Sequence, residues 1–179
     1  MSETSAQYKA RLHGYVGKRD PIGILRETPA ILRKLILRQP PELLAKRPRP
    51  DKWSAVEILA HLAETEIILG YRIRSVLANN GRSIENVDQV VWSKAMRYDR
   101  VEPWKSVIRF RENRAWTLEL LANLTPEEWS RYGVHSERGR ESVRDMALLY
   151  AGHDLNHAAQ IRDLVGRKVA ALASLPKAV

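Results

Sequence analysis

Four stretches of this chain carry apolar residues at helical spacing, and the second of them has the clearest start. In Trp53-Ser54-Ala55-Val56-Glu57, Ser54 and a glutamate three residues on form a capping box. Trp53, just outside, can staple onto the first turn. The helix that follows is expected over about 55–79, stopping at Asn79-Asn80-Gly81. Ile58, Leu62, Leu69, Ile73, Val76 and Leu77 lie on its core-facing stripe. Such a stripe must be buried against other helices, because no segment shows strand-like alternation, an internal repeat or a glycine-rich phosphate loop.

The other three helices follow the same logic. Asp20 caps a first helix with Pro21 at N1, which ends before Pro40-Pro41. Pro29 marks either a kink or the start of its regular part. A third helix opens at Glu102-Pro103 and ends by Asn123; Thr125-Pro126 opens a single further turn. A fourth spans about 141–165 and stops at Gly166. Residues 1–20 read as a loose polar lead, 40–52 as a basic proline-rich connector, and 130–140 as a loop. Residues 80–102 form a long crossover with a short helix near 88–96. A connection of that length is often a lid or pocket wall. The expectation is an all-α four-helix bundle forming one domain over 21–179.

Histidine placement points to chemistry. His153 and His157, four apart, share one face of the fourth helix. That face reads Met146, Leu149, Tyr150, His153, His157, Gln160, Ile161 and Leu164. On the second helix His61 stands in line with Ile58, Thr65 and Ile68, pointing into the bundle. Three inward imidazoles can hold one divalent ion and leave a coordination position open. The bland alternative is three buried histidines satisfied by their neighbours, which is costly. With no cysteine in the chain, there is no thiolate ligand, disulfide or cysteine nucleophile.

Other residues carry two readings each. Glu57 is a capping-box residue or a carboxylate one turn before His61. Gln160 lines the pocket or packs, and Tyr150 packs in the core or lines the pocket. Asp154 is a solvent-side or inter-helix charge, with support of the site as the minor alternative. His135 is a surface or hinge residue rather than a fourth ligand, and His13 has no role. Trp104 is a packing residue; Trp92 is one too, or lines a substrate pocket. The net charge of +9 comes from 30 Lys+Arg against 21 Asp+Glu, and the charges are scattered. That disfavours a dedicated nucleic-acid surface and suits an anionic small substrate. With neither a signal-type segment nor a membrane-length apolar run, a cytoplasmic protein is expected.

Trp53-Ser54, Glu57 and His61-Leu62-Ala63, followed by His153-Asp154, His157 and Gln160-Ile161, resemble the DinB/YfiT-like (DinB_2) superfamily of metal-dependent enzymes. The resemblance spans about residues 22–166. It implies an up-down-down-up bundle with the long crossover between helices 2 and 3, and a divalent metal, zinc or nickel, on His61, His153 and His157. It also implies a homodimer. As a function it implies S-transfer with a low-molecular-weight thiol such as bacillithiol, a mycothiol-dependent isomerisation, or hydrolysis of a small molecule. A non-catalytic stress-response or binding module with a structural metal is the alternative.

Overall fold

A computed structural model describes residues 3–166 together with 172, 173 and 175. Its long helices are α2 (Pro21–Ile36), α4 (Ala55–Ala78), α6 (Pro103–Ala122) and α8 (Val143–Val165). α2, α4 and α6 begin at the caps read from the sequence, and α8 begins two residues after the start expected near 141. Asp20 accepts from the backbone N–H groups of Ile22 and Gly23, and Ser54 and Glu57 complete their capping box. Glu102 caps α6, and Ser142 forms a capping box with Asp145 at the start of α8. Oxygens at these positions satisfy the N–H groups that the first turn leaves unpaired.

The helices form an up-down-down-up four-helix bundle. α4 and α6 run the same way, since Glu66 meets Arg114 and Gly70 approaches Thr117. α8 packs on both α4 and α2, and α6 also packs on both. The core, from Leu25, Leu32 and Leu35 to Leu62, Leu69, Ile73, Phe110, Ala151 and Ile161, lies between them.

Pro29 does not restart α2, which is one helix from Pro21 through Ile36. Its missing N–H leaves the Leu25 carbonyl without an intrahelical donor. Arg114 Nη1 on α6 donates to that carbonyl instead, at 2.9 Å.

Three expectations are corrected. Residues 1–20 are not a loose lead: Ser5–Val16 is helix α1, with a Thr4/Gln7 capping box and Gly17 as its C-terminal stop. Leu12, Tyr15 and Val16 are buried against α8. The connector 40–52 contains a short helix α3 (Pro41–Ala45). The 130–140 loop is largely a hairpin, β2 (Tyr132–His135) and β3 (Gly139–Ser142), turning at Gly139 with φ +73°. β1 (Ser83–Ile84) adds to β2 in parallel, with Ile84 opposite His135. Between β1 and α6 lie helix α5 (Gln89–Ala95) and a 3₁₀ turn, Tyr98–Arg100. Single-turn helix α7 (Pro126–Ser130) leads into β2. The C-terminal part of the domain expected over 21–179 lies mostly outside the described residues.

α1 docks through a glycine. A Cβ on Gly152 of α8 would sit 2.2 Å from the Leu12 carbonyl oxygen, a backbone atom that cannot rotate away. Gly152→Ala should therefore push α1 off α8 and cost about 1–3 kcal/mol, as overpacking does. Limited proteolysis should cut within residues 5–17 of the variant at least several-fold faster than in the parent. Equal cleavage rates would count against this close contact.

Candidate metal centre

α4 and α8 run antiparallel, which brings His61 beside His153 and His157. His61 Nε2 lies 3.1 Å from His153 Nε2. Potential ligand atoms of the three imidazoles fall within 4.8 Å of one another. Ring centroids are 5.1 Å apart for His61–His153, 4.9 Å for His61–His157 and 4.4 Å for His153–His157. Among the described residues this is the cluster of His, Asp or Glu side chains placed to hold an ion.

The donor set fits a divalent metal. Tetrahedral ligands with bonds of about 2.1 Å stand roughly 3.4 Å apart, close to the Nε2–Nε2 distance found here. Burial drives the pKa of His61 well below its ordinary value, and His157 adds to the effect. His153 is lowered in the same way by burial, then by His157 and His61. His157 falls to about 4 through burial, against the opposing pull of Gln160. All three are neutral at pH 7, the form that offers a lone pair to a metal. Gln160 Oε1 stands 2.7 Å from His157 Nδ1. The tautomer assigned from this bond puts the proton on Nδ1 and leaves Nε2 free as a ligand.

Aromatic rings wall the cluster. Trp53 leans on His61 at 4.9 Å between centroids, and Tyr98 closes from the 3₁₀ turn at 6.4 Å. Tyr150 lies 5.9 Å from His153. A cavity of about 450 Å³ opens beside His61 and His153, walled by Tyr8, Thr65, Arg72, Trp92, Tyr98 and Tyr150 among others. A second opening, of about 650 Å³, reaches His157 and Gln160 past Trp53, Ile58 and Asp163. Gln89 and Val90 of α5 border both, so the long crossover does supply pocket wall.

Not every residue singled out in the sequence joins the site. Glu57 is held by Ser54 and by Arg47, whose Nε donates to it at 2.8 Å, and so belongs to the α4 cap. Asp154 is no solvent-side charge. It is 1% exposed and paired at 2.7 Å with Arg114, which also pairs with Glu66 at 2.6 Å. His135 is neither on the surface nor with the other histidines. It is buried at the end of β2, and its Nδ1 accepts from the backbone N–H groups of Glu137 and Arg138. Trp92 lines the first cavity, Trp104 a separate groove between α2 and α6, and exposed His13 lies in the last turn of α1. Sequence reasoning missed Trp53 as a wall of the cluster, and also Tyr98, Arg72 and Tyr8. Only an exceptional position could have flagged them: Arg72, for example, falls on a buried face of α4.

His135 makes stability sensitive to acid. Burial, with Arg138 and Arg72 nearby, lowers its pKa to about 4, while the unfolded chain titrates near 6.5. The folded state therefore favours the neutral ring. The stability this carries is complete above about pH 6.5 and is lost as pH falls towards 4. The melting temperature should be flat above about pH 7 and decline below it. His135→Gln, which still offers an acceptor to the two N–H groups, should show a shallower decline. Parallel curves for variant and parent would remove His135 from this role.

The DinB superfamily model matches residues 24–161. The chain belongs to the DinB superfamily. Its relatives include a protein of Oceanobacillus iheyensis, provisionally assigned as a metal-dependent hydrolase, 26% identical over 148 residues that cover 82% of this chain and 85% of the relative. YfiT of Bacillus subtilis, assigned in the same provisional way, is 25% identical over 169 residues, covering 93% and 95%. The YfiT structure superposes with a TM-score of 0.77 at 24% identity, over 82% of this chain and 85% of that one. Its helices are described as an unusual four-helix-bundle topology, in agreement with the fold found here. Among the described residues no helix is long and apolar enough to cross a membrane.

Proposed function

We propose that this DinB-superfamily chain is a metal-dependent hydrolase of small molecules, with His61, His153 and His157 holding one divalent ion, zinc or nickel. The observation that carries the reading is the meeting of three neutral imidazoles from two antiparallel helices, with His61 and His153 on the wall of one cavity and His157 on that of the second opening. The assignment of its relatives as metal-dependent hydrolases supports it. An ion held by His61, His153 and His157 would supply Lewis-acid chemistry to a substrate or water. Gln160 fixes the orientation of the His157 ring. Trp53 and Tyr98 keep bulk water from the His61 side, which strengthens every electrostatic interaction inside. Glu57, tied into its cap, is not available as a base.

S-transfer to or from a bacillithiol-type thiol is the second reading. It needs room for two molecules, and the separate opening beside His157 and Gln160 provides it. With no cysteine in the chain, that thiol would come as a cosubstrate. The test is elemental analysis of protein purified without an affinity tag, followed by assays of the metal-loaded chain on nitrophenyl esters and on an electrophilic substrate. The assays run with and without bacillithiol, mycothiol or glutathione. Turnover without thiol supports hydrolysis, and thiol-dependent turnover supports S-transfer. Bound metal with no turnover, and a lower melting temperature on its removal, would mark a structural ion. Failure to retain any divalent metal would overturn the reading.

A further inference from the structure

Arg72 is a cation placed where a structural arginine would ordinarily face a carboxylate. It lies in α4 with 8% exposure and lines the cavity beside His61 and His153. Its Nη2 donates to the Glu85 carbonyl at 2.6 Å and its Nη1 to Tyr150 Oη at 3.2 Å. Among the described residues it makes no ion pair. A guanidinium carries five N–H donors, so these two bonds leave donor capacity on a side chain that lines the cavity. An unpaired buried charge is costly, and structures retain one where a ligand completes it.

Tyr150 extends the same polarity. Its oxygen accepts from Arg72, so its own hydrogen is free to be donated elsewhere. A phenol keeps its hydrogen at neutral pH, so Tyr150 is an O–H donor there. Tyr8, on the cavity wall, is pushed up to about 12 by burial and by Tyr150, and is likewise a donor. The cavity's acids are already engaged. Glu3 takes two bonds from Arg11, Asp88 caps α5, and Glu137 accepts from Asn86. Arg138, also on the wall, is bound to Glu141.

We propose that Arg72 and Tyr150 form an oxyanion-binding subsite that holds a carboxylate or phosphonate-type group of the substrate, one side chain away from the three-histidine cluster. The connection runs through Tyr150, which touches Arg72 at its hydroxyl and stands 5.9 Å from His153 at its ring. A small anion bridged in this way extends its neutral end towards the histidines. The substrate class is therefore a compact molecule with one anionic end and a scissile bond a few atoms away. The proposal rests on the small-molecule reading of the site, but not on the metal.

The test uses the full chain, both as purified and after dialysis against a chelator. The cavity-wall residue Trp92 reports binding by fluorescence, and calorimetry provides a second readout. Benzoate and phenylphosphonate probe the two oxyanions, with benzamide as the neutral comparison. Both anions should bind at least about tenfold tighter than benzamide, with or without metal. Arg72→Gln should lose about tenfold or more of that preference, and Tyr150→Phe a smaller part, while benzamide binding stays unchanged. The Tyr150→Phe variant removes one oxygen and keeps the ring, so it remains informative if Arg72→Gln does not fold. A stronger response to one anion identifies the group preferred. Equal binding of benzamide would overturn the proposal. So would anion binding that vanishes with the metal, or Tyr150→Phe binding equal to the parent. Loss of metal binding with anion preference intact would instead overturn the metal reading and leave this subsite standing.

Discussion

Replacing Arg114 with methionine should lower the melting temperature by roughly 10 °C or more, the largest stability effect expected of a single side chain here. Arg114 is 1% exposed and donates to Asp154 on α8, Glu66 on α4 and the Leu25 carbonyl on α2. One guanidinium on α6 thus joins all four bundle helices. Its face lies over the Phe110 ring at 4.5 Å. Removing it leaves two buried carboxylates without a counter-ion and a carbonyl that Pro29 has already deprived of its helical donor. Breaking a buried pair costs about 3–5 kcal/mol. A protein of this size loses about 2–4 °C per kcal/mol. Replacing the whole cluster by Glu66→Leu/Arg114→Met/Asp154→Leu should recover most of the loss, because apolar residues of similar size remove the desolvation cost with the charges. Thermal denaturation of the parent and both variants makes the comparison. A fall of less than about 3 °C for Arg114→Met would contradict the buried network.

Metal binding should show an effect of similar size. Protein purified untagged should carry about one divalent ion per chain, the stoichiometry of a three-imidazole site. A ligand bound only by the folded state at about a thousand times its Kd adds about 4 kcal/mol. Chelation should therefore lower the melting temperature by roughly 10 °C, and zinc or nickel should restore it. His153→Ala/His157→Ala should retain little metal and show no response to chelator or ion. Its helical circular dichroism should match that of the metal-free parent, since the helices are held by caps and core. Full metal occupancy in the double variant would place the ion elsewhere.

These two predictions differ in how far the sequence could foresee them. The three histidines were legible because helical periodicity is local. His153 and His157 share a face by spacing alone, and the Ser54–Glu57 box set the phase of α4 that turned His61 inward. The starts of α2, α4 and α6 were legible for the same reason, since a cap and its first turn lie within four residues. α1 was missed because its large aliphatic residues are just Leu12 and Val16, near its end, with Gly14 between them, although Thr4-x-x-Gln7 and Gly17 carried a cap and a stop. The hairpin was missed because its strands are four residues long and polar, too short for alternation to register.

The Arg114 network was legible only in part: an inter-helix charge was one of the two main readings of Asp154, and its pairing with Arg114 bears that out. Glu66 and Arg114 look like solvent-facing charges on amphipathic helices, and their burial depends on which faces meet. His135 and Arg72 are buried for the same kind of reason. The sequence by itself determined four helices, three of them with their N-terminal caps, their apolar stripes and an inward-facing histidine on α4 beside a histidine pair on α8. Tertiary structure alone decided that His61 meets His153 across 92 residues of chain. It alone placed the Arg72 guanidinium and the Tyr150 phenol beside the adjoining cavity, because contacts between distant faces follow from packing, which no local pattern encodes.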